Sequence, residues 1–126
     1  MKLLTAAALV ACGAFAAPLA AQEEQQALAD TGLGAVLRGL DKVNGQSRDI
    51  EIRNGASAEF SSLMVTLGEC RYPADNPTGD AYAFLTIRER DSGRVRFEGW
   101  MIASSPALNA LDHNRYDIWI IRCMTE

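Results

Sequence analysis

The chain of 126 residues has one histidine, three cysteines and two lysines, and each shortage removes a class of chemistry. One histidine and a cysteine pair cannot supply the four-ligand shell that zinc needs. The absence of a Cys-x-x-Cys pair speaks against catalytic thiol redox chemistry. No Gly-x-Ser-x-Gly elbow exists to present a nucleophilic serine. A surplus of basic residues is also missing, with 12 Lys and Arg against 16 Asp and Glu. Nucleic acid is therefore not an expected partner, because phosphate binding wants a basic surface. There is no internal repeat, no low-complexity tract and no domain linker past Gly34, so one compact unit is the simplest organisation.

What is present begins at the N-terminus. Met1 and Lys2 form a short basic region, Leu3 to Ala17 is apolar apart from Thr5, Cys12 and Gly13, and small residues surround a cut after Ala21. This is the three-part layout of a secretory signal over residues 1–21. A membrane anchor needs about 20 apolar residues. The run is shorter, and Gln22, Glu23, Glu24, Gln25 and Gln26 follow at once. A second reading stays open, since Leu9-Val10-Ala11-Cys12-Gly13 resembles the site at which lipoproteins are cut and acylated on cysteine. Ordinary cleavage is favoured, because acylation at Cys12 would leave an apolar tail from Gly13 to Ala21. The expected location is the periplasm, with no transmembrane segment in the mature chain.

Cleavage removes Lys2 and no acid, leaving 11 basic against 16 acidic side chains and a net charge of −5. It also removes Cys12, so Cys70 and Cys123 remain in an oxidising compartment. A disulfide between them is the expected reading, with two separate buried thiols as the alternative. Such a link would stabilise by roughly 4 kcal/mol.

Residues 22–34 are polar at first and carry no period, which predicts a flexible leader. From Ala35 to Glu126 the chain reads as a single β-rich domain. Val36, Leu37 and Leu40 suggest a strand closed by Asn44-Gly45, a hairpin signal. Ile50 and Ile52 alternate with charged residues up to a second Asn-Gly at 54–55, and Leu63, Val65 and Leu67 repeat the pattern before Cys70. Tyr72 to Asp80 is a loop by its prolines, asparagine and glycine. Two strands flank the three-residue connection Asp91-Ser92-Gly93. Ser105 and Pro106 read as the start of a short helix burying Leu108 and Leu111. Tyr116 to Cys123 is apolar on both faces, which predicts a central strand. The expected fold is mostly β: a small barrel or sandwich of six to seven short antiparallel strands, with one short helix and one disulfide.

The strings Cys70-Arg71-Tyr72-Pro73, Asp75-Asn76-Pro77 and Gly79-Asp80-Ala81-Tyr82-Ala83-Phe84-Leu85 carry a family resemblance. So do Gly99-Trp100-Met101, Ala103 to Leu108, Ala110-Leu111-Asp112-His113, and the ending from Tyr116-Asp117-Ile118-Trp119 to Arg122-Cys123. Over Ala35 to Cys123 the chain resembles the uncharacterised secreted proteobacterial family called domain of unknown function 2155. The resemblance brings no catalytic residues. It implies, through the frequent adjacency of family genes to that for an accessory subunit of respiratory complex I, an accessory role on the outer face of an inner-membrane complex.

Three constellations offer side chains with chemical potential. Ser104 or Ser105 with His113 and Asp112 is the only local triad candidate. Ser105 already caps the expected helix, and adjacent Asp112 and His113 are awkwardly placed to orient one another. Asp75, Asn76 and Asp80 offer oxygen ligands for calcium, but they are also ordinary turn residues without EF-hand spacing. Neither a metal nor a cofactor is expected. The third constellation is the hairpin. A three-residue turn would set Arg90 opposite Arg94, Arg88 opposite Arg96, Thr86 opposite Glu98, Phe84 opposite Trp100 and Tyr82 opposite Ile102. One face would then run from four arginines to an aromatic pair, while Ala83, Leu85, Ile87, Val95, Phe97 and Met101 enter the core. That face is either a docking surface comprising Arg88, Arg90, Arg94, Arg96, Phe84 and Trp100, or a solvated edge with a covered aromatic pair. Arginine suits bidentate pairing with carboxylate or phosphate.

The leading expectation is a non-enzymatic periplasmic module that binds a protein partner in the cell envelope. A binder of small ligands or lipid headgroups is second, and a small hydrolase third.

Overall fold

In the computed structural model, residues 29–126 and the single position Gly13 are described. The expected signal segment apart from Gly13, Cys12 included, and residues 22–28 of the expected leader lie outside them.

Eight strands form in chain order: β1 Ala29–Thr31, β2 Gly34–Asp41, β3 Ser47–Arg53, β4 Ser57–Phe60, β5 Leu63–Pro73, β6 Tyr82–Glu89, β7 Val95–Ile102 and β8 Tyr116–Met124. All pairings are antiparallel. One sheet runs β1-β5-β6-β7, with β4 also on β5; Arg71 pairs with both Thr31 and Tyr82, so β1 and β4 share the edge of β5 away from β6. The second sheet is β3-β2-β8. The two pack face to face in a sandwich-like arrangement without closing into a barrel, β4 and β5 meeting β3 and β2 and the run β5 to β7 meeting β8.

The core follows from period-two alternation. Leu37 from β2, Leu63, Val65 and Leu67 from β5, Leu85 and Ile87 from β6, and Ile118 and Ile120 from β8 are almost fully buried. Cys70 in β5 and Cys123 in β8 form a disulfide across the two sheets, with Cα atoms 5.6 Å apart. The Asn-Gly signals sit where expected, with Gly45 (φ 76°) between β2 and β3 and Gly55 (φ 78°) after β3.

Three expectations are corrected. Residues 29–34 of the expected leader are structured. β1 pairs with the end of β5, Gly32 N–H donates to Cys70 O (2.7 Å) and Leu33 N–H to Met124 O (2.8 Å). Gly32 is squeezed between the sheets; a Cβ there would lie 2.8 Å from Met124 O, and glycine alone fits. Among the described residues no helix forms. Ser105 N–H to Ile102 O and Leu108 N–H to Ser105 O close isolated turns. Leu108 is 74 % exposed while Leu111 is 6 % exposed, so the two share no apolar stripe, and a helix this short lacks the packing that offsets nucleation. Finally, β8 is an edge strand of its sheet rather than a central one. Its outward residues Trp119 and Ile121 are half-buried, with Pro106, Ala107 and Ala110 of the segment before β8 lying beside Trp119.

Candidate interaction surface

The β6–β7 hairpin keeps the expected register at its base, where Tyr82 faces Ile102, Phe84 faces Trp100 and Thr86 faces Glu98. The Phe84 and Trp100 rings meet edge to face, with centroids 5.4 Å apart, a favoured aromatic geometry. Phe84 packs over Gly68, where a Cβ would approach its ring to 3.2 Å. Trp100 is 40 % exposed and Tyr82 and Ile102 are half-buried, so the outer face of the five-stranded sheet is aromatic and open to solvent.

Towards the tip the register changes. A bulge after Ile87 sets Arg88 opposite Val95 and leaves Arg96 as the additional residue. The turn closes with Glu89 N–H donating to Arg94 O (2.9 Å) and Gly93 N–H to Glu89 O (2.8 Å), Gly93 having φ 72°. The four arginines therefore do not form two opposed pairs. Arg96 reaches Glu89 (Nη1 to Oε1, 2.9 Å), with both side chains about three-quarters buried. Arg90 donates to Ser61 O (2.9 Å) and lies 3.4 Å from Glu59. The like-charge repulsion expected on that face is relieved locally, and the exposed part of the hairpin that no internal ion pair claims is its aromatic base.

His113, for which a structural turn is the favoured alternative to a triad, is buried against the same hairpin. Its Nδ1 accepts N–H bonds from Arg115 (3.0 Å) and Tyr116 (3.1 Å), which leaves Nε2–H to donate to Glu89 Oε1 (3.1 Å). Its partners are thus Glu89 and the backbone, whereas Ser104 donates to Asp80 Oδ2 (2.7 Å) and Asp112 is exposed. The structure does not assemble Ser104, Ser105, His113 and Asp112 into a triad. Nothing in the sequence near His113 announces a partner 24 positions away.

Asp80 is likewise committed. Burial pushes its carboxyl up, but the Ser104 hydroxyl and the Ala81 and Ser104 N–H groups outweigh burial and hold it below the usual carboxylate range. Asn76 and Gly79 close consecutive turns, and among the described residues no three His, Cys, Asp or Glu side chains gather to hold a metal. On the opposite side of the molecule, Arg115 donates to Asp41 (Nη2 3.0 Å) and, with the Val43 and Asn44 amides, holds that carboxyl low against burial. Arg38 does the same for Asp49 (Nε to Oδ1, 2.7 Å).

Beside the aromatic pair lies an open groove of about 290 Å³ lined by Ala29, Arg71, Tyr82, Trp100 and Ile102. Sequence reading missed Arg71, because its surroundings come from β1, β6 and β7 together.

The family description "Uncharacterized protein conserved in bacteria (DUF2155)" matches residues 35–123. The chain belongs to this family. "Uncharacterized protein RP359" of Rickettsia prowazekii (strain Madrid E) is 29% identical over 87 residues, which cover 67% of this chain and 56% of that protein. The match thus spans little more than half of that relative's length. No solved structure matches the chain. The DUF2155 chain carries its matched region from the second residue of β2 to Cys123, so the disulfide and, among the described strands, all but β1 fall within it apart from single residues at the ends of β2 and β8.

Proposed function

We propose that this DUF2155 protein is a non-enzymatic interaction module of the periplasm, docking onto an envelope protein through the outer face of its five-stranded sheet. One observation carries the reading: Trp100 stands 40 % exposed against Phe84 on a sheet face flanked by Tyr82 and Ile102. Exposed aromatic clusters of this kind supply the anchors of protein interfaces, where Trp, Tyr and Arg dominate the energetics. The signal-like N-terminus and the disulfide support export, and the gene adjacency that the family resemblance implies makes an inner-membrane respiratory complex the first partner to test. A small-molecule site is less favoured, because the groove beside Trp100 lies at the lower bound of ligand cavities.

The test places a photocrosslinking amino acid in living cells at Trp100, and as a control at Val43, which is 73 % exposed on the β2–β3 turn. A discrete envelope-protein adduct at Trp100, absent at Val43, is expected. Identical crosslinking from both positions, or none at Trp100, refutes the docking face.

A further inference from the structure

Five ion pairs are made by the described residues: Arg38 with Asp49, Arg90 with Glu59, Arg96 with Glu89, His113 with Glu89, and Arg115 with Asp41. Arg71 is in none of them. It sits in β5 in a cross-strand row running Thr31, Arg71, Tyr82 and Ile102 from β1 to β7. Its Nε is buried and, among the described residues, has no hydrogen-bond partner. Every other buried side-chain nitrogen or oxygen described has one, so this is the exception in an otherwise satisfied structure.

Burying the Nε of a guanidinium without a hydrogen bond is costly, because that N–H loses its water and, among the described residues, gains no acceptor. The same placement makes it a strong receiver. Its planar fork suits a carboxylate bidentately, and the groove it lines is open to an incoming chain. Tyr82, Trp100 and Ile102 offer apolar contact on one side of the guanidinium. The Phe84–Trp100 pair then extends the contact surface along the sheet beyond what a small acid would cover.

We infer that the groove receives a carboxylate carried beside an apolar side chain on an extended segment of a protein partner, with Arg71 pairing the carboxylate and Trp100 covering the apolar side chain. This rests on the docking reading above and adds the chemistry of the partner: acidic and apolar, not basic. A free acid fills too little of the face, and a phosphate headgroup leaves the aromatic surface uncovered.

The inference is tested by selecting displayed random peptides on the mature protein and retaining those whose binding is lost with Trp100→Ala. Those peptides are expected to be enriched in Asp or Glu next to Leu, Phe or Trp. Exchanging the acid for its amide in a synthetic peptide weakens binding to the unaltered protein by about 10-fold or more. With Arg71→Gln, the acidic and amide peptides bind alike. Trp100-dependent peptides without an acidic preference, or equal affinity for acid and amide, overturn the role of Arg71 and leave the docking face standing. An absence of any Trp100-dependent peptide removes the docking face itself. Binding to phosphatidylglycerol vesicles that Arg71→Gln abolishes, with no peptide preference, overturns the assignment in favour of a lipid headgroup. Should Arg71→Gln fail to fold, the acid-to-amide exchange on the peptide alone decides.

Discussion

Reducing the Cys70–Cys123 disulfide perturbs the protein without changing a side chain's shape, and its consequence can be worked from chain connectivity. The two cysteines are 53 positions apart. Closing a loop of that length removes denatured-state entropy worth about 4 kcal/mol at 25 °C. The ordered part of roughly 100 residues unfolds with an entropy near 0.2 kcal/mol per kelvin, so the melting temperature should fall by about 20 °C. Cys70 is wholly buried and Cys123 nearly so, and reductant added to the folded protein therefore acts slowly. The protein is best unfolded, reduced and refolded under reductant before its denaturant and thermal transitions are compared with those of the oxidised form. The bond joins the two sheets beside the crossing at Gly32 and Leu33, whose amides bond to Cys70 O and Met124 O. Hydrogen exchange should accelerate first at those amides in the reduced protein. A stability difference below about 1 kcal/mol would mean that the denatured chain was not constrained by the link, and the entropic reasoning would be refuted.

Three further outcomes follow from the side-chain geometry. His113→Ala leaves the Arg115 and Tyr116 amides without their acceptor and removes one partner of Glu89, so denaturant titration should show a loss of about 2–4 kcal/mol; a loss under 1 kcal/mol on this scale would contradict the buried network. Ser61 is a non-glycine residue with φ 53° whose hydroxyl bonds to Tyr116 Oη at 2.7 Å. Ser61→Gly and Ser61→Ala both lose that bond but only glycine relaxes the backbone, so the glycine variant should be the more stable by about 1 kcal/mol, and equal stabilities would disprove strain there. The carboxyls of Asp41, Asp49 and Asp80 are all held below their ordinary value of 3.8. A folded pKa below the unfolded one gives stability that is present above the unfolded value and lost as pH falls through the folded one. Unfolding midpoints should therefore be level above about pH 5 and decline below pH 4, and a decline that begins near neutrality would point to other groups.

The strands were legible because their signal is local. Ile50 and Ile52, or Leu63, Val65 and Leu67, alternate without help from the rest of the chain, and the two Asn-Gly pairs fall at turns for reasons confined to their own backbone. The turn at Ser105-Pro106 was misread because cap chemistry is satisfied equally well by an isolated turn, and only the exposure of Leu108 distinguishes the two. β8 looked central because Trp119 and Ile121 are apolar, yet their cover comes from loops that no strand pattern announces. Arg71 and the His113–Glu89 pair belong to the same class, since each is defined by segments that are not sequence neighbours.

The hairpin shows how a small misreading changes a functional conclusion. Counting back from Asp91-Ser92-Gly93 gives the right partners for Phe84 and Tyr82, but the bulge after Ile87 inserts Arg96 as an extra residue and breaks the opposition of four arginines. Arg96 then finds Glu89, which also receives His113, so this arginine belongs to the fold's internal polar network. Charge reversal at Arg96 would set a second acid against Glu89 in a partly buried site and disturb folding before it reported on any partner. Arg71 is the reverse case, being conspicuous in structure because its buried Nε has no partner among the described residues, and silent in sequence. The residue worth mutating to question a partner is therefore Arg71, whose Nε is buried without a hydrogen-bond partner among the described residues.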